Sequence, residues 1–274
     1  MKRLDLFNSE KPRPSSQRSG SSLRGNQAKA YDPETRRYVK YDFSATSLQG
    51  LTECFIALVL DHVTVDSAPV DHASYTPFID GELRGAVTPN FVLLGEREVT
   101  SHRILSYSAM DGKTIDNTAS VATQIEQYIS ICEEYTGLSG FAKYFGVQLL
   151  LDAVFFNEDR HFSNISFIRD ANKKYRFAPY FDFAESYRFY QLGGVEHSVL
   201  TFEPQPFMRE QLECLDSLLG STRIQFNLNS WNHEFSVRSQ KWECAYEAEE
   251  ICILKAMFLS ALSTPIHGGK FEVV

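Results

Sequence analysis

The sequence predicts an α+β fold of two lobes, a small mixed N-terminal lobe and a larger, mainly helical C-terminal lobe. With 274 residues and 43% hydrophobic content, the chain can bury a large core. Residues 36–43, "RRYVKYDF", alternate apolar and polar side chains with the period of two that is typical of a half-buried strand. From about residue 117 onward the apolar pattern is instead helical. The strand signals therefore belong to the N-terminal third, and the long helices to the rest.

The N-terminal lobe is predicted over residues 19–115, after a flexible N-terminus at 1–18. Residues 8–30 are rich in Ser, Arg, Gly and Pro, which is the composition of a mobile segment. The alternation in the following strand places Lys40 on the face opposite its two neighbours. A helix with an apolar stripe is predicted at 47–63, and the segments "SYTPFID" and "NFVLLGE" predict further strands.

The C-terminal lobe is predicted over residues 116–265, with a tail at 266–274. The segments "ATQIEQYISICEEYTG" and "FAKYFGVQLLLDAVFF" are each long enough for several helical turns, and the first closes at Gly137, a usual helix C-terminus. Two short apolar runs separated by "RDANKK" predict a β-hairpin whose turn lies near Asn172. Residues 206–262 are predicted to be helical again.

Charge is distributed unevenly along the chain. Residues 1–40 contain ten Lys or Arg and four Asp or Glu, although the whole chain has a net charge of −8. The remainder is therefore acidic, which argues against generic nucleic-acid binding. The basic N-terminal segment is suited to meeting a small anion.

Neither a membrane protein nor a secreted protein is indicated. No run approaches about 18 uninterrupted apolar residues, and the basic residues at the N-terminus are not followed by an apolar signal segment. The five cysteines are odd in number and include no C-x-x-C pair, which fits neither a disulfide framework nor a zinc site. We therefore expect reduced, mostly buried thiols in a cytoplasmic protein.

The motif with the strongest chemical signal is "NEDRHFSN", residues 157–164, which directly follows an apolar helix. If the hairpin turns near Asn172, the chain leaves at Asn164 and returns beside it at Asp182, in "APYFDFAES". An amide oxygen and a carboxylate in this arrangement suit Mg²⁺, which completes its coordination with water and substrate phosphates. Asp159 is then free to accept the proton of an attacking hydroxyl. The three side chains supply a base and two metal ligands, the parts that phosphoryl transfer uses.

These motifs resemble the catalytic and metal-binding loops of the HipA-like serine/threonine kinases, and "DRHFSN" also resembles the D-R-H-x-x-N element of phosphoinositide kinases. "SSLRGNQAKA" is similar to the Ser-x-x-Gly-x-Gln-x-Lys phosphate loop of the HipA-like family, and "YVKY" to its nucleotide-binding strand. The resemblance extends from about residue 20 to 190 and implies a bilobal, protein-kinase-like fold that binds ATP and Mg²⁺. It also implies the following nucleotide-site residues: Ser22, Gly25, Gln27 and Lys29 in the phosphate loop, Lys40 in the strand, and Glu53 in the next helix.

The resemblance also implies regulation and partners. The chain begins close to the phosphate loop, so we expect a short form without the extra N-terminal subdomain of full-length HipA. HipA-like kinases commonly act as toxins on translation factors and commonly pair with a small helix-turn-helix antitoxin, so both kinds of partner are expected. Ser22, or its neighbour Ser21, is expected to be autophosphorylated, because a mobile loop near the γ-phosphate can reach the active site.

Each of these residues also has an ordinary structural interpretation. An Asp in a polar loop is usually a turn or cap residue, and a Lys on an edge strand usually faces solvent. Lys29 competes with Lys40 for the role of phosphate ligand. His161 is expected to organise the loop through hydrogen bonds, and Arg160 to hold it through an ion pair. Two other functions stay open: a kinase of lipids or small molecules, and a nucleotide-binding regulatory module with weak catalytic activity.

Overall fold

The computed structural model describes residues 29–42, 47–157, 159–187, 208–263 and 270–274. Along them the strands, in chain order, are β1 (Lys29–Asp32), β2 (Arg37–Tyr41), β3 (Val63–Val65), β4 (Ala68–Pro69), β5 (Thr76–Asp80), β6 (Leu83–Pro89), β7 (Arg97–Thr100), β8 (Ser166–Arg169), β9 (Tyr175–Phe177), β10 (Ile224–Phe226) and β11 (Phe271–Val273). The helices are α1 (Gln49–Leu60), α2 (Ser101–Met110), α3 (Val121–Thr136), α4 (Phe141–Phe155), α5 (Met208–Leu212), α6 (Leu215–Leu219), α7 (Leu228–Trp242) and α8 (Ala248–Leu262). A short 3₁₀ turn covers Phe162–Asn164.

A four-stranded antiparallel sheet, in the order β1-β2-β6-β5, begins the fold. The strand predicted within residues 36–43 is confirmed as β2. Its side chains Val39 and Tyr41 pack with Phe78 and Val87 on one face, which forms a small separate core. Lys40 points to the other face and is also buried, because α1 and the loop after β9 cover it. The period of two therefore gives the direction of Lys40 but not its burial.

Helix α1 confirms the helix predicted at 47–63, but every residue from Gly50 to Leu60 is buried, not only a stripe. The helix lies between the first sheet and helices α7 and α8, where Phe55 contacts the rings of Trp231 and Phe258. A helix that is apolar all round is typical of such a central position. The core of the C-terminal part thereby fixes the helix that carries Glu53.

The segment "NFVLLGE" does not form the strand that the sequence predicts. The side chain of Asn90 accepts a hydrogen bond from the backbone N–H two residues further on (2.9 Å), which starts a turn. Gly95 has a φ of 85°, and Leu93 and Leu94 are exposed. The strands lie on either side of this turn as β6 and β7, and β7 continues into α2, a helix that the sequence pattern does not predict.

The central helices and the hairpin are confirmed. Helix α3 ends at Gly137, whose φ of 70° is the left-handed conformation expected of a C-terminal glycine. Helix α4 follows directly and is buried on nearly all sides. The antiparallel pair β8–β9 forms the predicted hairpin, and β7 joins it to make a three-stranded sheet in the order β7-β8-β9. No helix in the described part of the chain is long and apolar enough to cross a membrane.

Two predictions for the C-terminal part need correction. Residues 206–262 are not helical throughout, because β10 separates α6 from α7. Within the predicted tail at 266–274, β11 pairs with β10 and Phe271 is buried. These short strands depend on partners distant in sequence, since β3 pairs with the other edge of β10. The lobe boundary near residue 115 stays a prediction.

All five cysteines are free thiols. Cys54, Cys132 and Cys214 are buried, whereas Cys244 and Cys252 are exposed. Burial raises the pKa of Cys54 and Cys132, which keeps these two thiols protonated and unreactive.

Candidate active site

Three elements bring a lysine and two carboxylates together in a buried cluster. Lys40 projects from β2 and pairs through its Nζ with Glu53 of α1. The same Nζ lies 2.6 Å from Oδ1 of Asp182, which follows β9. Lys29 of β1, opposite Lys40 in the strand ladder, places its Nζ 3.8 Å from the other oxygen of Asp182. The second oxygen of Glu53 accepts the backbone N–H of Phe183 (3.1 Å), so Glu53 joins α1 to this loop as well as to Lys40.

Mutual charge compensation keeps Lys40 and Asp182 ionised in spite of their burial. Burial opposes the charged form of Lys40, but Asp182 and Glu53 outweigh it and raise its pKa well above the usual value. Burial also opposes the charged form of Asp182, by raising its pKa, but Lys29 and Lys40 outweigh it and lower the pKa of this carboxyl. Burial raises the pKa of Glu53, which Lys40 partly offsets. Asp182 is thus the most firmly ionised of the carboxylates at this site.

Asp182 has a strained backbone. Its φ of 63° lies in the left-handed region, which costs a non-glycine residue roughly 1–3 kcal/mol. Its side chain is fixed by the two lysines, and its carbonyl accepts a hydrogen bond from Arg160 (3.3 Å). Such strain persists only where the surroundings determine the conformation, and it is common at functional sites.

Arg160 joins the two loops of the site to helix α4. Its side chain is fully buried and binds Asp152 of α4 through two hydrogen bonds of 2.8 and 3.0 Å. The same guanidinium donates to the carbonyl oxygens of Asn164 (2.8 Å) and Phe181 (3.1 Å), as well as Asp182. Asn164 and Asp182 are therefore brought to one end of the hairpin by a single side chain. This is the geometry that the sequence predicts for the open end of the β8–β9 hairpin.

Asp159 lies at the mouth of the site, with its side chain 46% exposed. Partial burial raises its pKa, His161 lowers it, and the charge of Asp182 raises it further. His161 accepts the backbone N–H of Ser163 through Nδ1 (3.2 Å), and its Nε2 lies 3.9 Å from Asp159. His161 therefore contacts the loop as an organising residue would. A carboxylate with a raised pKa that still reaches solvent is suited to accept a proton.

The side-chain atoms at the hairpin end fit a magnesium ion. Asn164 donates through its amide nitrogen to the carbonyl of Asp159 (3.0 Å), which leaves its amide oxygen as a metal donor. The ionised Asp182 supplies a carboxylate, and Mg²⁺ commonly takes one or two protein carboxylates plus substrate phosphates. No group of three or more His, Cys, Asp or Glu side chains within the described residues is arranged to hold a metal. The predicted phosphate-loop residues Ser21, Ser22, Gly25 and Gln27 lie outside the described part of the chain.

Two residues that shape the site are not predicted from the sequence. Asp152 is the buried partner of Arg160, and its signal is one charge inside the apolar run "LLLDAVFF". Tyr75 lies beneath Lys40, whose Nζ is 5.1 Å from the centre of its ring. Burial raises the pKa of Tyr75, so this ring is a neutral contact for the lysine. Nothing in the sequence around Tyr75 indicates this contact.

The arrangement of the sheet, α1, and the hairpin with its two flanking loops is that of a kinase-like α+β fold, as the sequence predicts. The proinflammatory kinase CtkA of Helicobacter pylori has a similar structure, with a TM-score of 0.62, 12% sequence identity, and coverage of 93% of this chain and 94% of that chain. A chain from the Shewanella oneidensis MR-1 toxin-antitoxin complex of HipA, HipB and operator DNA aligns with a TM-score of 0.49 and 13% identity, over 88% of this chain and 64% of that one. No protein-family model and no curated protein matches the sequence.

Proposed function

We propose that the protein is an ATP- and Mg²⁺-dependent serine/threonine protein kinase of the HipA-like type. The observation that supports this most directly is the ionised Lys40–Asp182 pair at the hairpin end where Asn164 lies, beside the half-exposed Asp159. Phosphoryl transfer needs these parts in proximity: a cation for the phosphates, oxygen donors for magnesium, and a base for the acceptor hydroxyl. The kinase-like fold agrees with the proposal.

Each side chain has a role in the proposed reaction. Lys40 and Lys29 bind phosphate oxygens of ATP, and Glu53 holds Lys40 in position. The amide oxygen of Asn164 and the carboxylate of Asp182 would hold Mg²⁺, which would neutralise charge on the phosphates. Asp159 orients a Ser or Thr hydroxyl and accepts its proton. The hydroxyl oxygen bonds to the γ-phosphorus as the bond from that phosphorus to the β,γ-bridging oxygen breaks, and ADP is the leaving group.

Replacing Asp159 by Asn should lower kcat by about 10²- to 10⁴-fold and leave the KM for ATP nearly unchanged, because the base acts on the acceptor and not on the nucleotide. In the wild type, kcat/KM should rise with pH as Asp159 loses its proton, through a pKa that burial has raised. The variant should lack this limb of the pH profile. Transfer of labelled γ-phosphate to a protein acceptor measures both effects, and an unchanged kcat with the same pH profile would refute the role of Asp159.

We also propose that the enzyme phosphorylates Ser22, or Ser21, in its own phosphate loop. A phosphate there adds about −1.5 to −2 charge and would compete with ATP for Arg18, Arg24 and Lys29, so nucleotide affinity should fall. Phosphopeptide mapping of protein incubated with ATP and Mg²⁺ should find this phosphate in the wild type but not in Asp159→Asn or Ser22→Ala. Wild-type protein without phosphate between residues 15 and 30 would rule out this regulation.

The identity of the molecule that receives the phosphate is inferred from the motif resemblance alone. On that basis we propose a toxin-type kinase that acts on a translation factor and is paired with a small helix-turn-helix antitoxin. Because the D-R-H-x-x-N element is shared with lipid kinases, labelled ATP should be offered to protein extract and to lipid vesicles side by side. Transfer to lipid only would indicate a lipid kinase. Stabilisation by Mg²⁺-ATP without transfer to any acceptor would indicate a regulatory nucleotide-binding module.

A further inference from the structure

A polar cavity lies next to the candidate active site, at the edge of β7. Its volume is about 560 Å³. The side chains that distinguish it are three arginines and three tyrosines from β7, β8, β9, α2 and α3, and we call it the Arg–Tyr cavity: Arg97, Arg103, Arg169, Tyr107, Tyr135 and Tyr175. None of these residues has a role in the proposed phosphoryl transfer.

Two of the arginines are held directly opposite each other. Arg97 of β7 and Arg169 of β8 are partners in the antiparallel ladder, so their side chains leave the same face of the sheet. The Cβ atoms of directly opposed residues lie about 4.5–5.5 Å apart, and like charges at this distance destabilise a sheet. Among the described residues, neither guanidinium has an ion-pair partner. An anion between them would remove the repulsion.

Arg169 has a buried donor that no described group satisfies. Its Nε is buried and has no hydrogen-bond partner in the described part of the chain, and the guanidinium lies 5.9 Å from the centre of the Tyr175 ring. A buried charged donor without an acceptor is costly, so it is rare unless a ligand or water completes it. Three tyrosine rings pack against one another beside this position, with ring centres 6.1 Å apart for Tyr107–Tyr135 and 6.2 Å apart for Tyr135–Tyr175.

The Arg–Tyr cavity adjoins the candidate active site, because Glu98 and Tyr38 also line it and Tyr38 lies on the same face of β2 as Lys40. Glu98, one residue after Arg97, points to the opposite face of the sheet, where its carboxylate accepts a hydrogen bond from Ser166 (2.7 Å). Burial raises the pKa of Glu98, Lys29 lowers it and Asp182 raises it, which places Glu98 on the side of the candidate active site. Arg97 and Arg169 lie on the other side of the β7–β8 pair. The two guanidinium groups therefore leave the sheet on the face opposite the Glu98 carboxylate, although the cavity that they line reaches Glu98 as well.

We propose that the Arg–Tyr cavity binds a phosphomonoester group between Arg97 and Arg169. A phosphomonoester dianion has three terminal oxygens, enough to accept paired hydrogen bonds from two guanidinium forks, whereas a single carboxylate has two. The group is carried either by a phosphorylated protein segment or by a phosphorylated small molecule. Binding at this site does not require phosphoryl transfer by the protein.

Calorimetric titration of the full chain, without nucleotide, tests this site with O-phosphoserine and with a short phosphoserine peptide. Arg169→Gln and Arg97→Gln should each weaken binding by about tenfold or more, the loss expected when a charge-assisted hydrogen bond is removed. Arg223→Gln removes an exposed arginine outside the cavity and should bind as the wild type does. Much tighter binding of the peptide would indicate a protein ligand, and equal binding a small molecule.

Two further measurements separate this proposal from misfolding and from the proposed activity. Without ligand, Arg169→Gln should melt at the same temperature as the wild type or higher, because one of two opposed charges is gone. Arg97→Gln is a second variant for this comparison. Because Arg97 is exposed, its replacement should not disturb buried packing. Asp182→Ala should retain phosphoserine binding even if transfer is lost. The proposal is wrong if phosphoserine at millimolar concentration does not bind, if both arginine variants bind it normally, or if glutamate binds equally well.

Discussion

Replacing Asp182 by Ala is expected to lower the rate of γ-phosphate transfer by about 10³-fold or more. The carboxylate is the charged oxygen donor of the proposed magnesium site, and phosphoryl transfer depends on charge neutralisation and positioning more than on covalent chemistry. Asp182 also contacts Lys40 and Lys29, so its removal disturbs the phosphate ligands as well. Transfer of labelled γ-phosphate to protein acceptors, at saturating ATP and Mg²⁺, measures the effect.

The matched control for this substitution is Asp216→Ala. Asp216 is 87% exposed, and among the described residues its side chain pairs only with Lys270 at the surface, so its loss should leave the rate unchanged. Asp182→Asn adds a finer comparison, since it keeps the shape of the side chain and removes its charge. Near-normal transfer by Asp182→Ala would contradict the assignment of the metal site and, with it, the proposed reaction.

Lys40 and Asp182 show what local sequence patterns can and cannot predict. The period of two gave the direction of Lys40, and the hairpin gave the approach of Asp182 to Asn164, because both depend on neighbours within one or two elements. The direct contact of Lys40 with Asp182 joins residues 142 positions apart. Such a contact is determined by how the sheet packs on the hairpin, so the sequence pattern alone does not specify it.

The errors in the fold have the same physical origin. "NFVLLGE" is apolar enough for a strand, yet it forms a turn that the Asn90 side chain and Gly95 stabilise. Strand β11 was predicted as tail because a three-residue strand has little intrinsic stability, and it forms only where β10 presents an edge. The helices α3 and α4 were predicted correctly because their apolar residues recur over four turns or more.

The second large effect is expected on stability. Arg160→Met should lower the free energy of unfolding by about 3–5 kcal/mol, because it leaves the charge of Asp152 buried without a cation. Within the described part of the chain, only neutral donors would remain on this carboxylate, from Asn157 (2.7 Å) and Gln148 (3.1 Å). The carbonyls of Asn164 and Asp182 would lose a shared donor, so kcat should fall as well. Urea denaturation gives the stability change.

The pH dependence identifies the cause of this loss. Burial already raises the pKa of Asp152 in spite of Arg160, and without Arg160 it should rise further. The folded variant then binds a proton at Asp152 more tightly than the unfolded chain does. Its free energy of unfolding should therefore fall as the pH rises above the ordinary Asp pKa of about 4. The difference in stability between variant and wild type should shrink as the pH is lowered towards about 4.

Combining Asp152→Asn with Arg160→Met should be less destabilising than the sum of the two single changes. Lys143→Met, which removes one partner of the half-exposed Lys143–Asp66 pair, should cost no more than about 1 kcal/mol. A loss of similar size in Lys143→Met and Arg160→Met, or a deficit independent of pH, would show that the buried ion pair does not hold the two loops of the site.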